Sequence, residues 1–471
     1  MSMRRRKKER QRELWVSAGD VAVAPRHVFY ERLNKLLAEA GFDEFVEDLV
    51  EPYYADGGRP GIEPGVYFRM LFVGYFEGID SQRGIAWRCA DSLSLKSFLG
   101  ISVTEKTPDH SSLTKIRKRF PIEVVEQVFA FVLIMADKYL SVSGSRTGVD
   151  ATTLEANAAM KSIVRRDSGE DWKQYIRRLM LEEGEIDEDD DPSSDELRRF
   201  DRARRDKKVS NTEWKAKADD DARIMKMKDG RTRFGYKSEH VVDLDSEVVM
   251  SATVREGTEP DTQTLVKSVD EARTNIDRSG IGATIHDVAA DKGYHSNDQL
   301  VACERAEVRC YIPEPKSNRN RRWTDKPAEV KSAFHNNRKR VKQPKSKQLQ
   351  RERSEKVERS FAHVCETGGA RRTWLRGVEN INKCYQITVA AHNLGRIMLK
   401  LFGAGKPRGW SAFLWPQTSF GTRPHAAAAI ARTFLTTIRR RTKEKLRFMN
   451  SMITTLSIQL TQHKHVFSTA C

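Results

Sequence analysis

Three acids in this 471-residue chain stand where a carboxylate needs a reason. Asp150 is at the middle of Thr147-Gly-Val-Asp-Ala-Thr-Thr, a run that reads as a short apolar strand. A bare carboxylate buried there costs several kcal/mol unless it is paired or metal-bound. Asp291 ends a second buried-type strand, Ile285-His-Asp-Val-Ala-Ala, directly before Lys292-Gly-Tyr-His, where the glycine lets the chain leave the sheet sharply. Glu358 falls on a helix expected over 349–364, beside its inner stripe of Val357, Phe361, Val364 and Cys365. Two strand aspartates and a helix glutamate can converge at the strand ends of one sheet. That all-oxygen set suits Mg²⁺ or Mn²⁺ better than zinc. Two such ions ~3.5–4 Å apart activate an attacking water or hydroxyl and steady the leaving oxygen of a phosphodiester. A salt bridge or helix cap explains any one of these acids alone. Glu352 and Glu355 compete for the third place, Glu355 lying three residues from Glu358 and close to the same face.

Other side chains are weighed against plainer roles. His295, four residues after Asp291, can touch DNA or sit at the surface, and His240 reads as a sheet histidine. Glu155 and Asn157 are either partners of Asp150 or helix caps, while Trp323 and Trp172 can stack on bases or pack inside.

The elements that must position these groups follow from periodicity. Residues 26–125 read as a helical unit, with Val28, Phe29, Leu33, Leu36 and Leu37 at helical spacing. Thr107-Pro-Asp-His-Ser-Ser-Leu feeds a helix that displays Lys115, Arg117, Lys118 and Arg119. A connector helix covers 122–139. From residue 145 the order is strand, hairpin (233–242 and 247–255, turning at 244–246), helix (261–276), strand, helix, strand (308–312), helix, which predicts an α/β layer with a mixed sheet.

Charge decides the partner class. The chain carries 83 Lys and Arg against 66 Asp and Glu, a net charge of +17 that asks for a polyanion, most simply nucleic acid. Ten acids fall between Glu182 and Glu196, and twelve bases between Lys316 and Lys347, so both segments read as solvated insertions, at about 155–230 and 316–347. Arg319, Arg321, Arg322, Arg338, Lys339 and Arg340 are the expected backbone contacts of the second. No run of eighteen apolar residues exists, which excludes a membrane-spanning helix, and the basic arm 1–24 lacks the apolar core of a signal peptide. Six scattered cysteines fit no zinc knuckle and point to reduced thiols in a cytoplasmic protein.

The blocks Gly148-Val-Asp-Ala-Thr-Thr-Leu-Glu-Ala-Asn, Ala290-Asp-Lys-Gly-Tyr-His-Ser and Val357-Glu-Arg-Ser-Phe-Ala-His resemble the three acid-bearing blocks of bacterial insertion-sequence transposases of the DDE type. Tyr67-Phe-Arg-Met-Leu-Phe-Val-Gly-Tyr-Phe-Glu-Gly through Trp87-Arg-Cys-Ala-Asp resembles the helical domain that precedes their catalytic core. The likeness runs over about residues 25–400. It implies a helical DNA-binding domain (25–140), a ribonuclease-H-like catalytic domain (141–400) and a tail (401–471) without a reading. It further implies two divalent ions held by Asp150, Asp291 and Glu358, and a homodimer acting on double-stranded DNA: terminal inverted repeats and target. In the broader family a Tyr, an Arg and a Lys flank the third acid, where this chain has Arg351, Ser354 and Cys365, so Arg353 or Arg359 stands in for the DNA-end contacts. A non-catalytic DNA-binding regulator derived from a transposase, or a ribonuclease-H-like nuclease, is the alternative.

Overall fold

The computed structural model describes residues 27–409 except 59, 60, 206, 208, 228, 317–322 and 325. The basic arm 1–24, the tail from 410 onward, and Arg319, Arg321 and Arg322 lie outside the described residues.

Seven helices come first: α1 (Val28–Glu39), α2 (Phe42–Val50), α3 (Pro64–Glu77), α4 (Gln82–Ala90), α5 (Leu93–Leu99), α6 (His110–Arg119) and α7 (Ile122–Leu140). Ser81, Ser92 and Asp109 start α4, α5 and α6 by accepting first-turn backbone N–H groups, which satisfies donors the helix itself cannot. α3 is buried on every side from Pro64 to Phe76, as an apolar sequence without a polar face requires. Its one cation, Arg69, forks onto Asp43 (Nη2–Oδ2 3.0 Å) and donates from Nε to Asn34 (3.2 Å), so the buried charge is paired.

The sheet region follows. Its elements are β1 (Arg146–Glu155), β2 (Ile163–Arg165), α8 (Trp172–Glu182), α9 (Ser194–Ala203), β3 (Trp214–Ala216), β4 (Arg223–Lys226), β5 (Thr232–Asp243), β6 (Val249–Glu256), α10 (Leu265–Ser279), β7 (Asp287–Ala289), α11 (Asn297–Arg305), β8 (Arg309–Tyr311), α12 (Ala328–Val341), α13 (Pro344–Phe361) and α14 (Val378–Phe402). The path β4-β5-β1-β7-β8 forms one mixed sheet, with β6 also on β5. β1 runs antiparallel to β5 and parallel to β7, and β7 parallel to β8. α13 packs on β1 and β5, and α10 packs on β6 and β5.

Both charged segments acquire structure. Within 155–230, β2 pairs with β3, and α8 and α9 close on a small core of Ile176, Met180 and Leu197. Each helix begins with a reciprocal capping box, Asp171 with Gln174 and Ser193 with Glu196. In the second segment α12 buries Ala333, Phe334 and Asn337 against its neighbours. Asn337 donates to the Ile312 carbonyl (2.9 Å) and accepts the Ile312 N–H (3.1 Å), continuing the hydrogen bonding of β8. α14, which the periodicity reading passes over, packs on α7, α3 and β6. It and α7 place the helical region and the sheet around one apolar core running from Phe29 to Ala404.

Candidate active site

The parallel ladder of β1 and β7 sets Gly148 against Ala289. Two residues further on, with the same side-chain parity, stand Asp150 and Asp291. β7 ends there because Asp291 turns its carboxylate back on the chain: Oδ1 accepts the Gly293 N–H at 2.7 Å and caps the turn Lys292–Tyr294. Asp150 stays in its strand, half-buried. Its Oδ1 accepts the Ala151 N–H (2.8 Å) and its Oδ2 is held by Arg353 Nη1 (2.7 Å). Burial pushes the Asp150 acid above the usual carboxylate range. Arg353 and the Ala151 N–H pull it back, and the negative charge of Asp291 raises it again.

Gly148 explains how α13 reaches them. A Cβ at that position would lie 2.8 Å from Val357 Cγ2 and 3.1 Å from Arg353 Cγ, so only a bare Cα lets the helix close on β1. Gln350 donates to the carbonyls of Ala290 (3.0 Å) and Tyr311 (2.6 Å), fixing the helix beside Asp291. Gln350, Ser354 and Glu358 form an i, i+4, i+8 row. Glu358 ends that row exposed, accepting the Ser354 hydroxyl at 3.0 Å. The β1–β7 register thus leads to Asp150 and Asp291 at corresponding positions two residues on, and Glu358 stands on the adjoining helix row. Glu352 is paired with Arg146, and Glu355 with Arg359 (2.5 Å).

Among the described residues, no three His, Cys, Asp or Glu side chains are arranged as a metal cage. The aspartate pair offers only hard oxygen donors. That fits Mg²⁺, which is bound through one or two carboxylates while water and substrate phosphate oxygens complete its shell.

Behind the strand ends lies a polar cluster that sequence reasoning missed. Glu239 on β5 is buried and accepts the hydroxyls of Thr264 (2.5 Å), Ser268 (2.6 Å) and Tyr294 (2.9 Å), with Lys237 Nζ 3.3 Å away. Burial pushes its acid up, but Lys237 and the hydroxyl donors more than offset this and leave it lowered. Tyr294 closes the turn that begins at Asp291, so this cluster anchors that turn to the sheet. Two charged residues at alternate positions of one strand, Lys237 and Glu239, were the available signal.

His240 is the expected sheet histidine. It is fully buried, bonded to Ser360 Oγ and Tyr385 Oη (2.8 Å each), stacked on Phe361, and pushed by burial down to about 3. His295 is buried edge-on to Phe334, Trp172 donates to Asp201 (3.2 Å), and Trp323 packs on Phe334. Glu155 pairs with Arg233 (2.5 Å) and Asn157 bonds the Trp374 carbonyl (2.9 Å), both at the C-terminal end of β1, beyond Asp150.

The basic candidates divide. Lys115 and Lys118 are exposed on α6, and the Arg119 guanidinium lies over the Tyr54 ring. Arg117, by contrast, falls on the inner face of α6: it is 8% exposed and donates to Asn380 on α14 (3.3 Å). Lys339 is exposed, Arg338 forks onto Glu314 (2.7 and 2.8 Å), and Arg340 donates to the Cys310 carbonyl (3.0 Å). Arg359 pairs with Glu247 (2.9 Å), and Cys365 is buried against Tyr385. A cleft of about 610 Å³ lies elsewhere, lined by Arg83, His110, Arg117, Arg372 and Trp374; neither aspartate borders it.

Residues 20–119 match the family model described as "Transposase domain (DUF772)", and residues 295–398 match "Transposase DDE domain". The second match contains Glu358 and begins just after Asp291. No curated protein and no solved structure matches the chain.

Proposed function

Taking as premise that the chain belongs to the insertion-sequence transposases of the DDE type, we propose that it binds the terminal inverted repeats of its element and cuts and joins DNA strands there with Asp150, Asp291 and Glu358. The observation that carries this reading is the placing of Asp150, inside β1, beside Asp291, just past the end of the neighbouring parallel strand β7, under a helix that bears a third carboxylate. On this reading the sheet is a ribonuclease-H-like core. Asp150 and Asp291 hold divalent ions, Mg²⁺ or Mn²⁺ and two in number, and Glu358 completes their binding from α13. When bound there, such ions would supply positive charge at the reacting phosphate and make the attacking water or 3′-hydroxyl more acidic.

The chain's own residues do the rest. Gly148 lets α13 lie close against β1, with Glu358 at the end of the row that starts at Gln350. Tyr294, bonded to Glu239, keeps the Asp291 turn from drifting. Lys115, Lys118 and Arg119 of the helical region, with Arg338, Lys339, Arg340 and Arg359 near the core, contact phosphates and set the register of the duplex without reading its sequence. Arg319, Arg321 and Arg322 belong to the same proposed set. The protein acts as a homodimer on paired ends in the bacterial cytoplasm, at the nucleoid.

The test is strand cleavage of labelled DNA carrying the element ends, in Mg²⁺, by full-length protein. Asp150→Asn and Asp291→Asn are expected to lower cleavage by about a thousandfold, the loss of one charge-stabilising ligand at the reacting phosphate, while end binding persists. Near-normal cleavage by either variant refutes the reading. Binding without cleavage by the unaltered protein identifies a regulator instead.

A further inference from the structure

We propose that Arg353 is an internal cation that occupies Asp150 in the DNA-free protein, is displaced when a divalent ion enters, and is then free to take a DNA phosphate at the same place. The inference rests on the reading of Asp150 and Asp291 as the metal-holding pair.

Arg353 is not a surface base. Its side chain is 11% exposed, its stem lies over Gly148, and its Nη1 holds Asp150 Oδ2 at 2.7 Å. Its Nε donates to Gln350 Oε1 (3.2 Å), and Gln350 is itself tied to the carbonyls of Ala290 and Tyr311. The guanidinium is therefore delivered to the carboxylate by a braced arm. Two neighbouring carboxylates carry two negative charges, and one guanidinium offsets only one of them.

A divalent ion bound at Asp150 would sit within a few ångström of that guanidinium. Two cations so close in a half-buried site repel strongly, so they compete for the carboxylate. Once displaced, an arginine still needs an anion, and its planar fork matches a phosphate. The scissile strand brings one. Metal and DNA then favour each other's binding through a single side chain, and the coupling is reciprocal. A permanent structural ion pair predicts none of this.

Two measurements on full-length protein without DNA test it. First, the unaltered protein is treated with an arginine-selective dicarbonyl reagent and mapped by peptide. Arg353 is expected to react slowly in metal-free buffer and several-fold faster in saturating Mg²⁺. Second, Mn²⁺ binding is followed by the electron paramagnetic resonance of the free ion. Arg353→Gln is expected to bind about tenfold more tightly than the unaltered protein, with Arg353→Lys staying close to it. If Mg²⁺ binds while Arg353 labelling stays constant, or a folded Arg353→Gln binds Mn²⁺ no more tightly, the pair is a fixed strut and the inference is overturned. Should Arg353→Gln fail to fold, the labelling decides alone. If the unaltered protein binds Mn²⁺ no better than Asp150→Asn does, the metal reading itself is wrong and this inference falls with it.

Discussion

At the residue scale, chemistry and architecture are assigned to side chains that look alike in the sequence. Glu352, Glu355 and Glu358 share one helix, yet the first two are engaged by Arg146 and Arg359 while Glu358 ends the row that starts at Gln350. Glu358→Gln is expected to remove strand cleavage and Glu355→Gln to leave it within a few-fold of normal. The reverse outcome would move the third carboxylate to Glu355. His240 carries a stability prediction. Burial holds it neutral down to about pH 3 in the fold, whereas an unfolded chain protonates it near 6.5. The unfolded state therefore binds the extra proton, and this group's contribution to stability is lost as pH falls from about 6.5 toward 3. Urea unfolding at pH 6, 5 and 4 should show His240→Asn with a pH slope shallower by about 1.4 kcal/mol per unit. Equal slopes would mean that the histidine titrates in the folded protein.

At the element scale, α6 and α13 each present two faces that composition alone cannot separate. In α6 the bases at 115, 118 and 119 lie away from the core while Arg117 bonds Asn380 inside. Replacing Lys115, Lys118 and Arg119 with Ala should weaken DNA binding and flatten its salt dependence by about 0.9 in log–log slope for each phosphate that is no longer neutralised. Arg117→Ala should instead lower the melting temperature and leave the salt slope alone. A changed slope for Arg117→Ala with unchanged stability would place that residue on DNA after all. α13 depends on the absence of a side chain beneath it. Gly148→Ala puts a methyl within 3.1 Å of Val357 and Arg353 atoms. It should cost about 1–3 kcal/mol of stability by overpacking and reduce cleavage as the helix moves off β1. Calorimetry and the cleavage assay together check this, and a variant as stable and active as the original would show that the helix has slack.

At the scale of the whole molecule, the helical region is not an appended head. α3 and α7 bury their apolar surfaces against α14, which lies more than 230 residues later in the chain. A fragment spanning residues 1–140 loses that cover and is expected to be unfolded or aggregated by circular dichroism and size-exclusion chromatography. A monomeric fragment with cooperative unfolding would establish a self-sufficient domain. The same packing joins α6 and α13 through a common interior, so strain at one element is borne by the other.

Much of this was legible in the sequence because it is local. The strand around Asp150, the hairpin at 232–256, the break after Asp291 and the N-cap at Asp109 are each set by neighbours a few residues away: alternation, β-branching, a glycine, a capping carboxylate. The family was legible through a resemblance of sequence blocks. The transposase matches at 20–119 and 295–398 bear out the family that they suggested. What tertiary structure alone decided depends on contacts between distant segments. Arg353 meets Asp150 across 203 residues, and Arg117 meets Asn380 across 263. α12 became a packed helix rather than a basic loop because Asn337 found the unpaired backbone of Ile312. Such pairings are set by which surfaces the folded chain brings together, and no spacing along the sequence records that.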